Sequence, residues 1–261
     1  MSTLHGSWIW YELLTSDAAG AKAFYEAVIG WQIAPGTQAP MFYGHITNPD
    51  GDSTGGILPL TDQMIAGGAR PAWVGYIGVD DVDSALAAII ALGGKALMPK
   101  MTIDVGSFAM VQDCCGAAFY VMTPVPAPGS SPSTAFSPTL TGRCGWNELQ
   151  AGNIGNALTF YTELFGWQVP DAMDMGAMGK YHFLTHDDVA IGAAMQKARH
   201  VPVACWNHYF RVASIAAAKA AVEAHGGQVL HGPMEVPGGD WIINGIDPQG
   251  AHFALVGAKG E

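Results

Sequence analysis

Cysteine, basic residues and long apolar runs are all scarce in this chain, and each scarcity removes a class of function. Four cysteines, Cys114, Cys115, Cys144 and Cys205, are spread over 261 residues with no C-x-x-C pair. Neighbours Cys114 and Cys115 are poorly placed to bridge each other. A disulfide framework or a structural zinc is therefore not expected, and reduced thiols in a cytoplasmic protein are. Lys and Arg number 11 against 22 Asp and Glu, a net charge of −11 with no basic run. That balance argues against a nucleic-acid partner. No 18-residue apolar stretch is present, so no membrane span is expected. The start, Met-Ser-Thr-Leu-His-Gly, has neither the charge nor the apolar core of a signal peptide. What remains is 49% hydrophobic, enough for an ordinary core without staples.

What is present is a repeat. Trp10, Glu12, Leu13, Phe24, Tyr25, Gly30, Trp31 and Gln32 recur 136 positions later as Trp146, Glu148, Leu149, Phe160, Tyr161, Gly166, Trp167 and Gln168. Trp73, Tyr76, Val79, Gly93 and Gly94 recur 133 later as Trp206, Tyr209, Val212, Gly226 and Gly227. Asp113, Gly116 and Phe119 recur 134 later as Asp247, Gly250 and Phe253. Chance does not hold spacing over three blocks, so function is read on one module and tested on its copy.

The stretch PVPAPGSSPSTAFSPT, Pro124 to Thr139, cannot continue a helix or a central strand. It marks a linker at 124–140 between module one, residues 7–123, and module two, residues 141–257. Within module one, residues 7–15 read as a strand. Ser16-Asp17 then cap a helix over 18–29 that Gly30 ends. Strand-like runs follow at 31–34, 41–47 and 54–60. The pattern restarts with a strand at 72–79, a helix from Asp81 to Leu92, and strands at 95–98, 107–112 and 117–123. A shift of 64 carries Ser16-Asp17…Gly30 onto Asp80-Asp81…Gly94. The expected class is α+β: two modules, each a paired βαβββ-βαβββ around a cleft. The pair should form an internal pseudo-dimer, as a monomer or a homodimer.

The segments carrying Leu13-Leu14-Thr15-Ser16-Asp17, Phe24-Tyr25 with Gly30-Trp31, and Asp113-Cys114-Cys115-Gly116 resemble the vicinal oxygen chelate superfamily. So do their counterparts Phe160-Tyr161, Gly166-Trp167 and Asp247-Pro248-Gln249-Gly250. This is the glyoxalase, bleomycin-resistance and dioxygenase group, and the resemblance spans nearly everything outside the linker. It implies a divalent metal held by His, Glu or Gln from the first, fourth, fifth and eighth strands of a module. Those ligand positions fall on Trp10, Val74 and Tyr120 in module one, and on Trp146, Asn207 and Ala254 in module two. The fourth strands, near Thr54–Leu58 and Ala190–Ala194, offer no ligand type. Trp, Val, Tyr and Ala are not among the residues that bind such a metal, so no cofactor is expected and a divalent metal is the alternative.

Strand alternation puts other side chains on the ligand face. The first strands offer Trp8, Trp10 and Glu12, and in the copy Trp146 and Glu148. Tyr76 and Tyr120 add to module one; Asn207, Tyr209, Arg211 and His252 add to module two. Glu12 and Glu148 are the candidate acid–base groups, with an equally open structural role. A shifted metal set of Glu148, His252 and Asn207 is conceivable. Trp31, Trp167, Trp73 and Trp206 read as core, and Met173, Met175 and Met178 as an adaptable loop. The expected function is a metal-free protein binding a small planar or aromatic molecule. The alternatives are a metal-dependent glyoxalase-type lyase or dioxygenase, and a metal-free enzyme with a glutamate base.

Overall fold

The computed structural model describes residues 4–35, 43–129 and 131–261. Module one runs β1 (Trp8–Thr15), α1 (Ala18–Ile29), β2 (Gln32–Pro35), β3 (Gly44–Thr47), β4 (Ser53–Pro59), a one-turn α2 (Asp62–Ala66), β5 (Ala72–Gly78), α3 (Val82–Ala91), β6 (Lys95–Ala96), β7 (Met101–Ile103), β8 (Gly106–Gln112) and β9 (Ala118–Pro124). Module two runs β10 (Cys144–Ala151), α4 (Ile154–Phe165), β11 (Ala172–Asp174), a 3-10 turn at Gly176–Met178, β12 (Lys180–His186), β13 (Val189–Gln196), β14 (Cys205–Val212), α5 (Ile215–Ala224), β15 (Gln228–Glu235), β16 (Trp241–Ile246) and β17 (His252–Gly257). This is an α+β fold with two βαβββ-type sheets, as the repeat implies. Among the described residues no helix is long and apolar enough to cross a membrane.

Local chemistry explains the helix ends. The Asp17 carboxylate accepts from the amides of Ala19 and Gly20 to start α1, and Asn153 accepts from Asn156 to start α4. Gly30 and Gly166 stop the two helices at φ of 85° and 70°, a left-handed turn that favours glycine. Asp81 and Ser214 cap α3 and α5 in the same way.

Three pieces escape the sequence reading. Helix α2 and strand β7 are too short for periodicity to register. The methionine loop is in fact β11 followed by the 3-10 turn, since Met173 pairs with Tyr181. The expected strand at 41–47 is seen over Gly44–Thr47; Met41 and Phe42 lie outside the described residues.

Strand order is β2-β3-β4-β1-β5-β9-β8-β6 in one sheet, with β7 beside β8, and β11-β12-β13-β10-β14-β17-β16-β15 in the other. The parallel pairs β1–β4 and β10–β13 set Glu12 opposite Gly56 and Glu148 opposite Ala193. Next to them, a Cβ on Gly55 would come within 1.8 Å of the Tyr11 carbonyl oxygen. One on Gly192 would come as close to that of Asn147. Glycine lets the first and fourth strands of each module approach at that point.

Packing draws on both modules at once. The chain forms two compact units, each holding half of each module. The first comprises Met1–Ile9, Gly75–Pro132 and Trp146–Trp206. In it Tyr161 on α4 donates to Asp113 Oδ2 at 3.2 Å and accepts from Trp206 Nε1 at 2.9 Å. Trp167 Nε1 donates to the Gly6 carbonyl at 2.8 Å. The second unit comprises Trp10–Val74, Ser133–Gly145 and Asn207–Glu261. There Tyr25 on α1 donates to Asp247 Oδ2 at 3.0 Å and accepts from Trp73 Nε1 at 2.9 Å. Trp31 Nε1 donates to the Gly142 carbonyl at 2.8 Å. Trp31, Trp73, Trp167 and Trp206 are all buried, as core tryptophans should be.

The end of the linker is also tied down within the second unit. Phe136 bridges Cys144, and Thr134 Oγ1 donates to Asp52 at 2.9 Å. Arg143, fully buried, donates Nη2 to both oxygens of Asp50 at 3.0 and 2.8 Å and to Asp52 at 3.2 Å. A lone arginine after a Pro/Ser-rich segment gives no sequence sign of such burial.

Candidate functional site

The repeated Trp-x-Glu of the first strands is the centre of the candidate site, and the structure adds a tyrosine to it. In the first unit, Trp146 on β10 donates its indole N–H to Tyr181 Oη on β12 at 2.8 Å. Tyr181 in turn donates to Glu148 Oε2 at 2.9 Å. Gln150, two residues further along β10, donates Nε2 to Glu148 Oε1 at 2.9 Å. Trp146, Glu148 and Gln150 share one strand face by alternation. Antiparallel pairing of β12 with β13 and parallel pairing of β13 with β10 set Tyr181 against that face.

The electrostatics follow one direction. Burial, then the Glu148 charge, push the Tyr181 phenol well above its ordinary pKa, so it stays a donor. Burial first, and Glu148 second, also raise the Cys205 thiol at the start of β14, keeping it neutral. The Glu148 carboxylate thus accepts at both oxygens, which fixes its orientation. Phe183 completes an aromatic wall, with its ring centroid 5.7 Å from Tyr181 and 6.3 Å from Trp146. Chemically, this is an oriented hydrogen-bond acceptor and potential proton acceptor beside aromatic surface.

The second unit carries the counterpart. Trp10 Nε1 donates to Tyr43 Oη at 2.9 Å, and the Trp10 ring lies 5.2 Å from that of His45. A Cβ on Gly56 would fall 2.1 Å from the Tyr43 hydroxyl, so glycine there makes room for the phenol. Glu12, opposite Gly56 in register, is 4% exposed.

The other expected residues fall into separate groups. In the first unit Tyr76 and Tyr120 stack at 4.2 Å and 11°, with Phe108 about 6 Å from each. Trp8 belongs to the core of that unit, 5.1 Å from Trp206 and 5.9 Å from Trp167, and not to a ligand wall. In the second unit Tyr209 accepts from Asn244 Nδ2 at 3.2 Å, and Asn207 is half-buried on the same strand. Arg211 is committed to Asp240 through two bonds of 2.8 and 3.1 Å. His252 is exposed at the start of β17.

The metal implied by the resemblance does not fit these side chains. At the first-strand ligand positions, Trp10 and Trp146 present N–H donors already turned onto phenols. Strand β4 reads STGGILP, and β13 reads VAIGAAMQ, whose terminal Gln196 is committed to the carbonyls of Ala151 and Gly152. At the eighth-strand position Tyr120 is stacked on Tyr76 and Ala254 has no donor atom. Among the described residues no group of three or more His, Cys, Asp or Glu is gathered as a metal-holding set. No chemical step is therefore derived through a metal.

Tyr43 and Tyr181 are the residues of this candidate constellation that sequence reasoning missed. They recur 138 positions apart instead of 136, because the loop before them differs in length between the modules. A comparison allowing for loop length would have paired them.

Known proteins place this geometry in context. Residues 143–255 match the family described as "Glyoxalase/Bleomycin resistance protein/Dioxygenase superfamily". The chain is 30% identical over 255 residues to "Putative glyoxylase CFP32" of Mycobacterium tuberculosis (strain CDC 1551 / Oshkosh), covering 95% of this chain and 93% of that protein. It is 30% identical over 135 residues to "Anthracycline biosynthesis protein DnrV" of Streptomyces peucetius, covering 47% of this chain and 48% of that one. The fold is similar to the Mn(II)-bound glyoxalase from Novosphingobium aromaticivorans, with a TM-score of 0.64 at 16% identity over 98% of this chain and 83% of the other. A match of that extent to a full-length relative, on a fold of two βαβββ-type sheets, makes this chain a two-module member of the glyoxalase/bleomycin resistance protein/dioxygenase superfamily.

Proposed function

We propose that this protein binds a small planar or aromatic molecule without a metal, using Glu148, and in the other module Glu12, as the polar anchor. The observation that carries the reading is the Trp146–Tyr181–Glu148 chain. The indole N–H and the phenol O–H are each spent in turn, and the carboxylate at the end of the chain is an acceptor held in place. Such a group fixes the orientation of a ligand N–H or O–H, while Trp146 and Phe183 supply apolar surface. The relative named for anthracycline biosynthesis makes planar polycyclic compounds the first class to screen.

The test is a thermal-shift panel of planar polycyclic compounds carrying hydroxyl or amino groups. A ligand that binds only the folded chain raises its melting temperature by mass action, by about 2.7 kcal/mol of stability at a hundredfold excess over Kd. The expected result is a concentration-dependent rise that Glu148→Gln or Tyr181→Phe reduces. A panel without any shift, or a shift indifferent to both these variants and Glu12→Gln, would sink the reading.

A second reading rests on the same carboxylate: a metal-free enzyme with Glu148 as general base. Turnover lost in Glu148→Gln with ligand binding retained distinguishes it from a binding protein.

A further inference from the structure

Away from the glutamate chain, the first unit carries a pair of neighbouring thiols. Cys114 Sγ and Cys115 Sγ lie 3.4 Å apart, both free and both partly exposed. They sit in the Asp113–Gly116 turn, and Cys114 borders a surface hollow of about 230 Å³ with Leu92, Asn156, Thr159 and Phe160.

The turn itself does not call for cysteine. Asp113 Oδ1 accepts from the amides of Cys115 at 2.7 Å and Ala117 at 2.9 Å. In the copy, Asp247 Oδ1 accepts from Gln249 at 2.9 Å and Ala251 at 2.8 Å, with Pro248 and Gln249 in place of the cysteines. Two unrelated residues build the same turn, so the thiols are surplus to its geometry. Those bonds do hold the backbone beneath the thiols, which lowers the ordering cost of a ligand that needs both.

We propose that Cys114 and Cys115 form a chelating site for a three-coordinate trivalent thiophilic centre, of the organoarsenic(III) class. The 3.4 Å separation of the free thiols lies nearest the short bite of a pyramidal centre. Tetrahedral zinc with Zn–S bonds of about 2.3 Å needs sulfurs about 3.8 Å apart and two further ligands. A linear two-coordinate ion needs them farther apart still. A pyramidal centre, with bond angles nearer a right angle, takes a shorter bite and leaves its third substituent to lie in the hollow against Leu92 and Phe160. Burial first, then the neighbouring thiol, push Cys114 up to about 12, so this sulfur enters the reaction as a neutral S–H. An arsenic(III) oxide R–As=O condenses with two S–H groups: two As–S bonds form, the As–O bond breaks, and both protons leave with the oxygen as one water. No oxidation state changes.

The experiment titrates the full-length reduced chain with phenylarsine oxide and reads intact mass, free thiols and the modified peptide. One adduct per chain is expected, with two thiols lost and the arsenic on the peptide holding Cys114 and Cys115. Dimercaptopropanol should remove it and a monothiol should not. Cys114→Ser and Cys115→Ser should each lose the stable adduct, and Cys205→Ser should keep it. Arsenic mapped to Cys144 or Cys205 overturns the proposal. So does a wild-type chain that takes none while equimolar dithiothreitol does. Peptide mapping uses the unaltered chain, so the result does not depend on a variant folding.

Discussion

Tyr25, on the first helix of module one, donates its hydroxyl to Asp247, on the last turn of module two, at 3.0 Å. The same phenol accepts the indole N–H of Trp73, and the pair lies wholly within the second compact unit. Burial raises Asp247 from its ordinary value, and burial raises Tyr25 well above its own, so the hydrogen remains on the phenol. Tyr161, Asp113 and Trp206 repeat the arrangement in the first unit.

Tyr25→Phe removes a group that both gives and takes a hydrogen bond. It strands the Trp73 N–H in the core and takes a donor from a buried carboxylate. The expected loss of stability is about 1–3 kcal/mol, read by urea or thermal unfolding at neutral pH. The Asp247 carboxyl then loses a contact that lowers its pKa. The deficit should therefore be full above that raised pKa and shrink as pH falls through it. Tyr161→Phe should behave alike. A loss under half a kilocalorie in both would remove these phenols as stabilising hubs.

His208, buried against the edge of Tyr11 at 4.9 Å, is held near pKa 3 by burial. Unfolded, it titrates near 6.5. With the folded value depressed, its contribution is present above about 6.5 and declines as pH falls from there toward 3. The slope expected is about 1.4 kcal/mol per pH unit. His208→Gln should flatten the pH dependence of stability between 6 and 4. An unchanged slope would show that other groups govern that range.

Gly55→Ala and Gly192→Ala each place a methyl within 1.8 Å of a backbone oxygen. The strands must separate or the chain must not fold. A loss of about 3 kcal/mol or more is expected in each, at the upper end for overpacking. Gly30→Ala meets nothing within 4 Å and suffers only its left-handed φ of 85°, so it should cost about 1 kcal/mol. Equal losses at all three positions would contradict the close-approach argument.

A chelator should leave the melting temperature unchanged, because a metal bound only by the folded chain would stabilise it by mass action. A drop of several degrees, restored by one divalent metal, would revive a metal-dependent reading and show that ligands lie outside the positions considered above.

Much of the fold was legible because its signals are local. Asp17 before Ala18 and Gly30 after Ile29 bound α1 at the residues expected, since capping bonds and a left-handed glycine act within one turn. The candidate site was legible by halves. Trp146 and Glu148 stood out as a repeated pair two apart on one strand. Tyr181 did not, since its partner strand arrives through a loop of different length. Trp8 misled for a related reason: alternation names a face, but not what packs against it, and Trp167 and Trp206 do. Its counterpart in the repeat is Cys144, so the copy never supported a role for Trp8.

By itself the sequence determined the duplication and the order of the main strands and helices. These depend on residue type, spacing and turn-scale bonds, which survive without knowing what lies opposite. Only the tertiary structure decided that each compact unit takes half of each module, that Arg143 is buried on Asp50 and Asp52, and that Tyr181 turns the Trp146 N–H toward Glu148. The bonds among them join residues 33 to 93 positions apart. They are set by which apolar faces bury each other and which buried polar groups then find partners.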